Sequence, residues 1–283
     1  MRKDTQGGVL AAWSLWGLHL LGAALTLLSA LYIGQLQSMG RSAAAIAMSD
    51  MNMRDMSKYW AFPILQATGL VALLFSYFSA LLGLAQLIPK GSGFAIRSST
   101  SVRALHRHTS LCVIVLILMH MLATTLDAMG DNWKTVLIPG TWVDQGWPDA
   151  AWGYNFGIFA SWLLILLAPT YYLREFLSIK GWRYLHRLIG VFYIFSVLHA
   201  MILGVDVEYY SWIRPTIWLA QIPLLLLLIN RLSWSPSDKK IHREKTSRFF
   251  IALSRIIYQF CIISILLIVI IVTTGKYNLI RTV

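Results

Sequence analysis

RALHRHTSLCVIVLILMH, residues 103–120, and RYLHRLIGVFYIFSVLH, residues 183–199, decide the fold. Each stretch opens on a basic residue and a Leu-His-Arg triplet, Leu105-His106-Arg107 in one and Leu185-His186-Arg187 in the other. Each closes on a second histidine, His120 or His199, after an apolar run. The histidines lie 14 and 13 residues apart, helical rises of about 21 Å and roughly 19.5 Å. A histidine in a hydrophobic span is costly to bury and marks a candidate functional position. Two such helices side by side present imidazoles in two facing pairs, one near each boundary of a ~30 Å hydrocarbon core.

The remainder of the chain agrees with a membrane setting. Of 283 residues, 57% are hydrophobic and 13% charged, against about 25% charged in soluble domains. Asp, Glu, Lys and Arg are absent from residues 6–40, 59–89, 108–126, 150–173, 188–205, 215–230 and 256–275. Most of these runs reach or approach the ~20 residues that cross a bilayer as a helix, so seven spans are expected. The run at 215–230 is the shortest. Arg2 and Lys3 resemble the start of a signal peptide, but the apolar stretch after them exceeds the 7–15 residues of a signal core and is read as a mature helix. The expected fold is all-α: a six-helix membrane bundle with one extra C-terminal helix. Its expected parts are a first helix (1–40), a transmembrane core that carries the four paired histidines (41–231), a basic loop (232–247) and the added helix (248–283).

Charge sets an expected orientation. With the N-terminus in the cytoplasm and seven alternating spans, sixteen of the 24 basic residues fall inside, seven fall outside, and Arg255 lies inside the last expected helix. Lys and Arg concentrate on the cytoplasmic side of membrane proteins. Most acids, among them Asp50, Asp127, Asp149 and Asp206, take the outer side. The formal net charge of +12 therefore reports topology and contact with anionic headgroups, not a nucleic-acid partner. A multi-pass protein of a bacterial inner membrane is expected, with its N-terminus cytoplasmic and its C-terminus periplasmic. His106 and His186 then lie near the inner face, and His120 and His199 toward the outer one.

Other features carry less chemistry. Cys112 and Cys261 sit in apolar runs and form no disulfide or metal-binding spacing. Met48, Met51, Met53 and Met56 suggest a short amphipathic surface helix more than a thioether copper site. The outer loop at 127–149 holds Trp133, Trp142 and Trp147 and reads as an interfacial anchor, or as a lid or docking surface. His19 is expected to be a hydrogen-bonded core residue.

Paired neutral imidazoles suit six-coordinate haem iron, which changes oxidation state with little movement. Arg103, Arg107, Arg183 and Arg187 cluster at the inner level, where haem propionates would need positive partners. On an ideal helix 14 residues return to nearly the same face, whereas 13 fall about 140° short. The second histidine helix must therefore deviate, and Gly190 is the expected place. His108 rivals His106, but the Leu-His-Arg repeat aligns His106 with His186 and Ser110 with Gly190. Two small residues there would let a flat macrocycle approach, with His108 at its edge.

These spacings, and the run WRYLHRLIG at residues 182–190, resemble the ferric reductase-like transmembrane domain. That superfamily takes in NADPH oxidases, ferric reductases and the haem-binding membrane subunit of the bacterial methionine sulfoxide reductase system. The resemblance covers roughly residues 59–231. It implies two b-type haems, an inner one on His106 and His186 and an outer one on His120 and His199. No Gly-rich dinucleotide fingerprint is present, so an oxidoreductase component without its own FAD or NAD domain is expected. Its donor would be a separate flavoprotein or a quinol, and its acceptor ferric iron or a periplasmic redox partner. The alternatives are a membrane anchor of a quinone-linked oxidoreductase and a histidine-based proton-coupled transporter.

Overall fold

A computed structural model describes residues 5–48, 50–86, 100–128, 132–141, 150–173 and 175–233. The expected seventh span and the loop at 234–247 lie outside them. In chain order the elements are α1 (Thr5–Ser38), α2 (Ala43–Ala47), α3 (Ala61–Ala85), α4 (Thr100–Leu126), α5 (Trp133–Leu137), α6 (Ala150–Leu167), a 3-10 turn (Ala168–Tyr171), α7 (Ile179–Arg187), α8 (Ile189–Leu203), α9 (Val205–Tyr209) and α10 (Ile213–Ser233). Among the described residues all regular structure is helical. Five helical stretches among the described residues are long and apolar enough to cross a membrane. In α10 the apolar stretch Ile213–Ile229 is shorter, in keeping with the weakest of the runs.

The helices start and stop for local reasons. Ser42 caps α2 by accepting from Ala45 N, and Asn132 forms a capping box with Thr135 at α5. Pro169 stands in the 3-10 turn that ends α6; a proline has no N–H to continue an α-helical ladder. Ser178, at φ 58°, turns the chain and caps α7 by accepting from Gly181 N. Gly40, at φ 71°, makes the turn after α1, where a Cβ would meet the Arg54 guanidinium.

α3 packs along α4, α6 along α8, and α1 lies against both α3 and α4. The shared core joins Val71, Phe75, Cys112, Leu116, Leu164 and Phe192, with Leu18 and Leu25 of α1 packed on it. Around this core the surface is apolar: Leu20, Leu28, Val115, Leu122 and Leu166 are all more than half exposed. So broad an apolar exterior is unstable in water and suits lipid chains. The chain is a polytopic membrane protein built as a helical bundle.

Two local expectations change. The methionine segment is no helix; it runs in turns, and Met53 is buried with Ala44, Tyr59 and Phe62. Gln37 holds that turn by donating from Nε2 to the carbonyls of Met53 and Tyr59. The second histidine helix does deviate, but at Leu188 and not at Gly190. There α7 ends, α8 begins, and Leu188 N bonds back to Leu185 O, a tight i→i−3 step.

Candidate functional site

The four intramembrane histidines meet as two pairs. The ring centres of His106 and His186 are 6.1 Å apart, with planes at 86°. Those of His120 and His199 are 6.0 Å apart, with planes at 90°. His106 and His120 come from α4, His186 from α7 and His199 from α8. Both pairs close to the same distance although the spacings differ by one residue, and the tight step at Leu188 lies between His186 and His199.

Three of the four rings are held alike. His106 Nδ1 donates to Ser79 O, His120 Nδ1 to Leu65 O and His199 Nδ1 to Gly153 O, each at 2.9 Å. In each case the glycine four residues beyond the accepting carbonyl lies under the ring. A Cβ on Gly83 would come 3.1 Å from His106, one on Gly69 3.0 Å from His120, and one on Gly157 2.5 Å from His199. The carbonyl is the acceptor of that glycine's own helical N–H. Absence of a side chain therefore admits the ring, and the ring shares the exposed carbonyl. A proton fixed on Nδ1 leaves Nε2 with its lone pair free in the neutral ring.

His186 is held otherwise. Its ring stacks on Trp182 at 5.1 Å and 23°, and Tyr171 packs against the indole edge-on at 6.1 Å. The position in α6 matching the other cradles has already passed into the 3-10 turn. Arg103, Arg107, Arg183 and Arg187 all sit at the same end as this pair and are exposed. Arg187 lies over the Tyr184 ring, 5.0 Å from its centre.

His19 and His108 join a second constellation. His19 Nε2 meets His108 Nδ1 at 2.9 Å, and His19 Nδ1 meets Cys112 Sγ at 3.1 Å. The three form a string between α1 and α4. His108 thus engages α1, and the two histidine pairs are assembled without it. Both His19 nitrogens are used in opposite directions, so the string does not converge on one point. Among the described residues no group of three or more His, Cys, Asp or Glu is placed to hold a metal ion.

Beyond the histidines, the glycines were the readable signal passed over. Gly69 and Gly83 are 14 residues apart, as are His106 and His120. An antiparallel neighbour with the same spacing is what two ring cradles at two depths demand.

The fold and these pairs define a class: a multi-helix membrane protein with facing histidines at two depths. Residues 68–197, which include His106, His120 and His186, match the family model described as ferric reductase like transmembrane component, so this part of the chain is similar to the ferric reductase-like transmembrane superfamily. Neither the curated proteins nor the solved structures contain a match.

Proposed function

We propose that the protein is a di-haem b-type transmembrane cytochrome that carries electrons from a cytoplasmic or quinol donor to an acceptor outside. The observation that carries this reading is the pairing itself. Two imidazoles ligating one metal from opposite sides, each through a bond of about 2 Å, set their ring centres roughly 6 Å apart; the two pairs stand at 6.1 and 6.0 Å. A bare zinc ion would need three or four protein ligands. Iron in a porphyrin takes four nitrogens from the macrocycle and needs only two more, so a pair of neutral imidazoles fits it.

His106 and His186 would hold the inner haem, and His120 and His199 the outer one. Bound there, haem supplies reversible one-electron chemistry at each level. The chain's own task is to position the ligands. Carbonyls of Ser79, Leu65 and Gly153 fix three rings and raise their basicity, while the apolar core of α3, α4, α6 and α8 lies between the two levels. The exposed arginines at the proposed inner end form a basic surface for an anionic donor.

Purified protein should show a b-type reduced-minus-oxidised spectrum and about two haems per chain. Replacing His106 and His186 together by Ala should remove one haem, and His120 with His199 the other. A folded, colourless protein after haem supply defeats the proposal, and a pH-gated flux in liposomes without haem would favour the transporter.

A further inference from the structure

Trp182 stands out beside the His106–His186 pair. Its Nε1 is buried and has no hydrogen-bond partner among the described residues. A buried donor left unpaired is destabilising, and an indole N–H can only donate. The ring is held from two sides, by His186 on its face and Tyr171 at its edge. The residue is half-buried beside the pair, with its donor nitrogen shielded and unused among the described residues. The four arginines expected to serve this level are exposed instead, and the Ser79 and Ser110 hydroxyls beside His106 are already engaged with each other and with His106, which leaves the indole N–H as an unpaired donor next to the pair. Haem has metal-free polar groups of one kind, its two propionate carboxylates, and a carboxylate only accepts.

We propose that Trp182 Nε1 donates a hydrogen bond to a propionate carboxylate of the haem held by His106 and His186. The inference rests on the di-haem reading. It gives Trp182 two jobs: it anchors the macrocycle, and its stacking fixes the His186 ring, which among the described residues has no backbone carbonyl on Nδ1 as the other three have. Trp182 is a positioning residue for His186 and a binding residue for the cofactor.

The test is a chemical double-mutant cycle on the full chain in detergent. Wild-type protein and Trp182→Phe are loaded with haem or with haem dimethyl ester, whose carboxylates are masked. Loss of each to excess apomyoglobin is then timed. Trp182→Phe keeps an aromatic ring against His186 and removes the donor together with part of the indole's stacking area, a loss that the ester arm shares. With haem, one of two kinetic phases should quicken about tenfold, the scale of a lost hydrogen bond to a charged group. With the ester, wild type and variant should release at the same rate. Trp182→Tyr, which keeps a ring and a donor, should slow the fast phase again. It also serves if Trp182→Phe does not hold cofactor. Equal acceleration with haem and ester would mean that stacking alone matters, and no acceleration with either would mean that the donor is idle; both overturn the proposal. Wild-type protein that takes up neither compound overturns the di-haem reading itself, a result distinct from either.

Discussion

The two halves of the bundle solve one problem differently. In the α3–α4 half the helices are continuous, and stepping 14 residues along α4 from His106 to His120 steps 14 residues back along α3 from Gly83 to Gly69. One register serves both levels. In the α6–α7–α8 half the spacing is 13, and continuity is given up on both sides. α6 passes into a 3-10 turn at Ala168, and the histidine helix breaks at Leu188. His199 keeps a glycine cradle and a carbonyl, whereas His186 exchanges both for Trp182. A strict helical repeat fixes two rings at once, and a broken one leaves each ring to be fixed by its own neighbours.

The largest test of that difference is a single inserted residue. An alanine between Val113 and Ile114 turns one half of α4 by about 100° against the other. Both cradles in α3 then no longer fit, and haem content should fall from about two to one or less. An alanine between Leu188 and Ile189 enters a joint that is already irregular and should leave about two haems bound, because irregular connections absorb insertions. Equal loss from both insertions, read by haem-to-protein ratio, would remove the distinction between the halves.

Next in size is the glycine series. Gly157→Ala places a Cβ 2.5 Å from His199 Nδ1, and the nearest atoms belong to a ring already tied to Gly153 O. That ring must leave, so the His120–His199 site should lose its haem. Gly69→Ala and Gly83→Ala meet ring edges at 3.0 and 3.1 Å. Shifts of a few tenths of an ångström accommodate them, and haem should be retained with weaker affinity. Titration with haem ranks the three, and Gly157→Ala binding as tightly as wild type would show that this cradle is not needed.

Much of this was legible in advance, for physical reasons. Uncharged runs map onto helices because a membrane helix must satisfy its own backbone and hide few charges. α4 begins at Thr100, before its uncharged run, since Arg103 and Arg107 can lie at the boundary without cost to the helix. The histidine pairing followed from spacing. The break at Leu188 did not, because leucine is no helix breaker and the nearest glycine is two residues away. The string from Cys112 through His19 to His108 spans 93 residues; only the packing of α1 on α4 creates it, and no local pattern encodes that contact.

A smaller effect concerns the tie between the halves. Gln66 of α3 donates from Nε2 to Asp206 Oδ2 of α9 at 2.8 Å, with both residues buried. Burial raises the Asp206 carboxyl pKa above its usual value, opposed in part by the Gln66 hydrogen bond. A folded-state pKa above the unfolded one favours folding when the group is protonated. Stability is thus greatest below the unfolded pKa and is lost as pH rises through the raised folded value. Wild-type protein in detergent should melt a few degrees higher in mild acid, by about 2–4 °C for each kcal/mol. Asp206→Asn still accepts from Gln66 and should flatten that slope. An unchanged slope would assign the pH dependence to other groups.

The smallest expected effect is at Gly190, where a Cβ would meet nothing within 4 Å. It is the second residue of α8, and alanine there should stabilise the haem-free protein by up to about 1 kcal/mol through helix propensity alone. Haem content should not change if the protein's own atoms define the cradles, as at Gly69, Gly83 and Gly157. The alignment of Gly190 with Ser110 offers the opposite outcome. Ser110 Oγ is turned to His106 O and the Ser79 hydroxyl, so the open space beside Gly190 would be the remaining approach for a flat macrocycle. A haem ratio that falls in Gly190→Ala while the melting temperature of the haem-free protein rises would place Gly190 against the cofactor. It would also show that the broken half, like the continuous one, relies on a missing side chain at both of its levels.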